Sequence, residues 1–138
     1  MSDKNDEYRF HPEDFDDEGN LVAEETTPAP LVIVGGLGLG AGLLFVSPFV
    51  DPISAFGVEL DFSVIAASVF AIGLLVGGII YARDGDLHLG AIHALGALGW
   101  SLFVAGTSVS STILLVIGAA TLIASALSLV ALAWRSPS

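Results

Sequence analysis

The sequence contains no cysteine. That removes disulfides, thiolate metal sites and thiol nucleophiles from the functions open to it. Lys and Arg are almost as scarce, four in all against fifteen Asp and Glu. Nucleic-acid binding needs clustered cations to neutralise phosphates, and no cluster exists here. The same scarcity rules out a polybasic contact with anionic lipid. The first ten residues, MSDKNDEYRF, lack a basic segment leading into an apolar core, so no cleavable signal peptide is expected. Nor does any nucleophile have a base placed beside it. Ser110, Ser111 and Thr112 have no nearby His or Lys and read as a polar loop and helix cap. No catalytic residue is expected, and the chain reads as non-enzymatic.

What the chain does have is apolar residues, 54% of it, with sixteen glycines in addition and a mean hydropathy of +0.81. Charge is confined to particular places. Residues 1–30 carry ten acids against Lys4 and Arg9, whereas residues 31–138 carry five acids against Arg83 and Arg135. Low hydrophobicity and high net charge make residues 1–30 an acidic tail expected to be disordered. Tyr8, Phe10 and Phe15 are spaced among its acids; such a segment either docks on a partner or simply stays solvated. The prolines of TTPAP (Thr26–Pro30) end the tail, and a helix can start just after them.

Four apolar runs follow, at about 31–50, 62–82, 87–106 and 111–134. The second, FSVIAASVFAIGLLVGGIIYA, contains 21 residues without a charge. As a helix it extends about 31 Å, close to the roughly 30 Å of a bilayer core. Apolar residues cover every side of the second and fourth runs, so those helices must lie in lipid or in protein. A chain of 138 residues cannot bury four such helices in itself. The fold class is therefore all-α: a polytopic membrane protein with a four-transmembrane-helix bundle (31–138) behind the tail. Short loops make chain neighbours antiparallel. In the first loop, Asp51 and Pro52 form a cap and first-turn pair, which predicts a short interfacial helix over residues 52–56 with Phe56 toward lipid. Asp86 is a candidate cap for the third span.

One stretch invites a different reading. In VIVGGLGLGAGLL (Val32–Leu44), Gly36, Gly38 and Ala41 match the G-x-G-x-x-G/A spacing of a dinucleotide-binding turn, with Glu59 or Asp61 placed as a ribose ligand. The context opposes it. Pro48 and Pro52 interrupt the helix such a turn must open, and no later strand–helix alternation appears. In a membrane helix the same glycines have a direct use. Gly36 and Gly40 are four residues apart, as are Gly38 and Gly42, and such pairs let a second helix approach closely. Gly73 and Gly77 repeat the device in the second span; Ala120, Ala124 and Ser128 do so in the fourth. The candidate helix-packing residues are thus Gly36, Gly40, Gly73, Gly77, Ala120 and Ala124.

His93 is the one ionisable side chain well inside a span. As an intramembrane ionisable group it is a weak candidate for haem binding or proton transfer; the plainer reading is a neutral ring bonded to a carbonyl or water. His88 is a poor second ligand, because five residues turn it about 140° around the helix. The run Asp84–Asp86–His88 reads as turn and cap residues, so no metal and no cofactor is expected. Lys4, Arg9, Arg83 and Arg135 all fall on one side of a four-span topology, which places both termini and the middle loop in the cytoplasm of a cell-membrane protein. Tyr81 and Trp134, beside Arg83 and Arg135, suit the headgroup layer.

With fifteen acids, one lysine and a pI near 4.2, the chain resembles the small four-span membrane proteins of haloarchaea, in composition and layout. Two four-span transporter families bear comparison as well. Small multidrug exporters carry a glutamate in their first helix, and this first span has no acid. Dual-topology fluoride channels have a glycine-rich first helix, which GGLGLGAG echoes, but the arginine and asparagine that accompany it are missing here.

The sequence thus points to a non-enzymatic accessory or interaction subunit of a respiratory or transport complex. Its partners would be the lipid bilayer and other membrane helices, in a homo-oligomer or a larger complex, with no nucleic acid. The alternatives are a homo-oligomeric channel or transporter, with His93 and Trp100 near the pathway, and, more weakly, a haem-binding electron carrier.

Overall fold

The computed structural model describes residues 12, 15, 17–19 and 27–135, with the side chain of Val58 left aside. The expected disorder of the acidic tail, and the docking role of Tyr8 and Phe10, fall outside these residues. Along the described chain run α1 (Ala29–Val46), a 3₁₀ turn (Ser47–Phe49), β1 (Ile53–Ala55), β2 (Val58–Leu60), α2 (Phe62–Arg83), α3 (Leu87–Ser108) and α4 (Thr112–Arg135). All four α-helices are long and apolar enough to cross a bilayer. Helices satisfy their backbone polar groups internally, which hydrocarbon requires. This is a multi-pass membrane protein.

Local chemistry sets each helix end. α1 starts two residues before Leu31, with Pro30 in its first turn, where a missing N–H costs nothing. It tightens into the 3₁₀ turn at Ser47–Phe49, because Pro48 cannot continue the α-helical ladder. Asp61 caps α2 by accepting from the Ser63 N–H at 2.8 Å, and Asp86 caps α3 by accepting from the Leu89 N–H at 3.0 Å. Ser111 Oγ accepts from the Leu114 N–H at the start of α4.

The connections after α2 and α3 share one design. Asp86 N–H donates to Tyr81 O at 2.9 Å and Gly85 N–H to Ala82 O at 3.3 Å; Ser111 N–H donates to Gly106 O at 2.8 Å and Ser110 N–H to Thr107 O at 3.3 Å. Each is a Schellman closure, which needs a left-handed residue just past the helix. Gly85 supplies it at φ +94° and Ser110 at φ +53°.

The first loop differs from the expected interfacial helix. It is a two-stranded antiparallel hairpin, with Ile53 opposite Leu60, Ser54 opposite Glu59 and Ala55 opposite Val58. Phe56 and Gly57 turn it, both with positive φ (53° and 79°), as a type I′ turn requires. Asp51 therefore heads no helix, and Asp61 is the cap in this loop. The physical reason is alternation: apolar and polar residues change places at every step through Ile53–Ala55 and Val58–Leu60, a period of two that suits a strand and not a helix.

The helices pack antiparallel and in chain order, α1 on α2, α2 on α3 and α3 on α4. Among the described residues no extended interface joins α1 to α4, so the row stays open at its two ends. Burial follows: 33% of the most apolar stretch is buried in each of α2 and α3, against 17% in α1 and 11% in α4. Each end helix has a protein neighbour on one side alone.

Candidate functional site

Glycines build the seams of this row. At the α1–α2 crossing, a Cβ added to Gly36 would lie 3.0 Å from Gly73 Cα, and one added to Gly73 would lie 3.1 Å from Gly36 Cα. On either side of that crossing the space is filled reciprocally. The Phe70 ring lies over Gly40, and the Ile33 side chain lies over Gly77. Gly35, Gly38 and Gly42 meet nothing within 4 Å, so the Gly38–Gly42 pair faces away from α2.

The α2–α3 seam runs through glycines that four-residue spacing did not single out. A Cβ on Gly78 would sit 3.0 Å from Gly90 O, and one on Gly90 would sit 2.9 Å from Gly78 O. Farther along, Phe70 stacks on Trp100 with centroids 4.7 Å apart, and Trp100 meets Phe103 edge-on at 5.9 Å. These aromatics line an apolar recess of about 390 Å³ between α1, α2 and α3, with Leu44 and Val64 on its other walls.

The α3–α4 seam does not use Ala120 and Ala124. Both are exposed, on the side of α4 turned away from α3. The contacting side carries Gly118, Leu122 and Ser125: a Cβ on Gly118 would lie 2.9 Å from Gly99 O, and Leu122 lies over Gly99. Ser125 Oγ donates to Ile92 O at 2.9 Å, a hydrogen bond that crosses from α4 to α3. Gly96 makes room for it, since a methyl group there would lie only 3.1 Å from Ser125 Oγ.

His93 is buried on α3, with Nδ1 2.7 Å from Leu89 O. A carbonyl can only accept, so Nδ1 carries the proton. The ring lies 5.3 Å from that of Tyr81, and His93 Cβ lies against Gly78. Asp84, Asp86 and His88 are exposed, and Asp86 is engaged as a cap. Among the described residues, no group of three or more His, Asp or Glu side chains is placed to hold a metal ion. The hydroxyls of Ser68, Ser101, Thr107, Ser108, Thr121 and Ser128 each donate to the carbonyl four residues earlier in their own helix. Their protons are engaged with local backbone.

At the hairpin end, Asp61 is held below the usual carboxylate range, first by the Ser63 backbone N–H and then by the Ser63 and Ser47 hydroxyls. The Gly36–Gly38–Ala41 run lies wholly inside α1, with no strand leading into it. The chain matches no known protein family, no curated protein and no solved structure.

Proposed function

We propose that the chain is a non-enzymatic accessory or interaction subunit of a larger membrane complex, respiratory or transport in kind. The observation that carries this reading is the open row of helices. α1 and α4 each have a single neighbour in the chain, and both present apolar, small-residue surfaces on their other side, including Gly38 and Gly42 on α1 and Ala120 and Ala124 on α4. Close helix–helix approach in a membrane depends on such surfaces. The hydroxyls bonded to their own helices support a packing role over ion movement.

On the same reading, both termini and the α2–α3 turn are cytoplasmic, since all four cations lie on that side. The membrane is the cell membrane, and the acidic composition is that of a haloarchaeal protein. Extraction from native membranes in mild detergent at high salt, followed by native mass measurement, tests the proposal. A defined assembly containing other chains is expected. A homo-oligomer that conducts ions in liposomes, with conduction lost in His93→Ala, would replace it with the channel reading. A preparation absorbing in the Soret region would replace it with the haem reading.

A further inference from the structure

The β1–β2 hairpin is the part of the molecule that its helices leave unexplained. Two strands of three residues are marginal in water without something to cover one face. The register puts Ile53, Ala55 and Leu60 on one face and Ser54 and Glu59 on the other. This is an amphipathic ribbon, yet Ile53 on its apolar face is about half exposed. At the tip, Phe56 is fully exposed and holds φ +53°. A bulky side chain rarely adopts that conformation, where Asn or Gly sits without strain. The most exposed aromatic among the described residues thus sits at a position that suits an aromatic poorly, a pattern that points to use at the tip.

Geometry limits what the tip can reach. β2 runs through Asp61 directly into α2, and Ser47 Oγ donates to Asp61 at 3.5 Å, tying the base of the hairpin to the end of α1. Three-residue strands are about 10 Å long, so the hairpin cannot travel far from the ends of two membrane helices. The headgroup layer on each side of a bilayer is itself roughly 5–8 Å deep. From the end of α1 through the 3₁₀ turn to the hairpin tip, Phe45, Phe49, Val50, Ile53 and Phe56 are exposed, and Asp51 is the one charged residue along that stretch of sequence.

We infer that the hairpin is a second membrane-contact element. It lies in the headgroup layer with Ile53 and Phe56 in lipid and Ser54 and Glu59 toward water. The contact is apolar and not electrostatic, because the charges within the 51–61 segment, Asp51, Glu59 and Asp61, are all acidic. The inference rests on the four helices spanning a bilayer, so its test carries a control for that reading.

The absence of cysteine makes the test direct. Single nitroxide labels are placed at Ile53→Cys, Ser54→Cys and Phe56→Cys, with Ile123→Cys on the exposed side of α4 as the span control. The full chain is reconstituted in phosphatidylcholine vesicles. Accessibility is then compared between oxygen, which partitions into lipid, and a nickel chelate, which stays in water. The oxygen-to-nickel ratio is expected to be several-fold higher at 53 and 56 than at 54. Adding Phe56→Ala to the label at 53 is expected to lower its ratio. Equal, water-like ratios at 53, 54 and 56 with a lipid-like ratio at 123 would overturn the inference and leave the spans intact. Labels at 53 and 56 shielded from both reagents would overturn it in favour of a second copy covering the hairpin. A water-like ratio at 123 would instead refute the membrane reading itself.

Discussion

Gly36 and Gly73 meet backbone to backbone, so close that a methyl group on either would lie about 3 Å from the Cα of the other. Neither helix can give way locally, because the obstacle is main chain and not the end of a side chain. Gly36→Val and Gly73→Val are therefore expected to destabilise the α1–α2 pair by about 1–3 kcal/mol each. Gly38→Ala, in open space, is expected to change little. Unfolding by SDS in mixed micelles reads all three.

Ser125 donates its hydroxyl from α4 to Ile92 O on α3. Hydrogen bonds between membrane helices contribute about 0.6 kcal/mol on average, and Ser125→Ala is expected to lose about that much in the same assay. Ser128→Ala, which gives up only a bond within α4, is the matched control and is expected to be neutral.

The two Schellman closures use different residues at the same left-handed position. Gly85→Val would place a β-branched side chain at φ +94°, at a cost of about 1–2 kcal/mol. Ser110→Gly should act in the opposite sense, a gain of under about 1 kcal/mol once the entropy of glycine is counted. Opposite shifts of the unfolding midpoint are the expected result.

Asp61 gives a pH dependence whose sign is fixed. Its folded pKa lies below the ordinary 3.8 because the Ser63 N–H and the Ser63 and Ser47 hydroxyls favour the carboxylate. The cap's contribution is complete above that ordinary value and disappears as pH falls through the folded pKa. The hydrogen-exchange protection factor at the first turn of α2, with the intrinsic rate at each pH divided out, should fall in that acid window. In Asp61→Ala the protection factor there should be low throughout and flat with pH.

The proton on His93 Nδ1 is likewise checkable. Nitrogen chemical shifts of the labelled imidazole should show Nδ1 protonated at neutral pH, because Leu89 O accepts from it. A bare Nδ1 would contradict the arrangement at this end of α3.

The four spans were legible because long charge-free runs have no alternative medium, and the caps Asp86 and Ser111 because they sit where a polar turn meets an apolar run. The hairpin was not, because Phe56–Gly57 carries none of the Asn-Gly or Asp-Gly chemistry that usually marks a two-residue turn. Its signal was the weaker one of alternation across Ile53–Ala55 and Val58–Leu60. Small-residue spacing singled out Gly36, Gly40, Gly73 and Gly77, which lie on the α1–α2 seam. In α4 it singled out Ala120 and Ala124, which lie on the outer side, while Gly118 and Ser125 face α3. Spacing identifies a smooth stripe on a helix; it does not say toward which neighbour the helix is rotated. Gly78 and Gly90 escaped because each works with one glycine on the opposite helix, a pairing visible only in three dimensions.

Among the described residues each helix packs extensively only on those beside it in the sequence, so every such interface joins segments separated by a tight turn or, for α1 and α2, by the hairpin connection 47–61. Such local pairing makes for fast assembly, since no long loop has to close before contacts form. A nascent chain can lay α2 on α1 as soon as it leaves the ribosome, then add α3 and α4 in order of synthesis. Nothing made early has to wait for something made last.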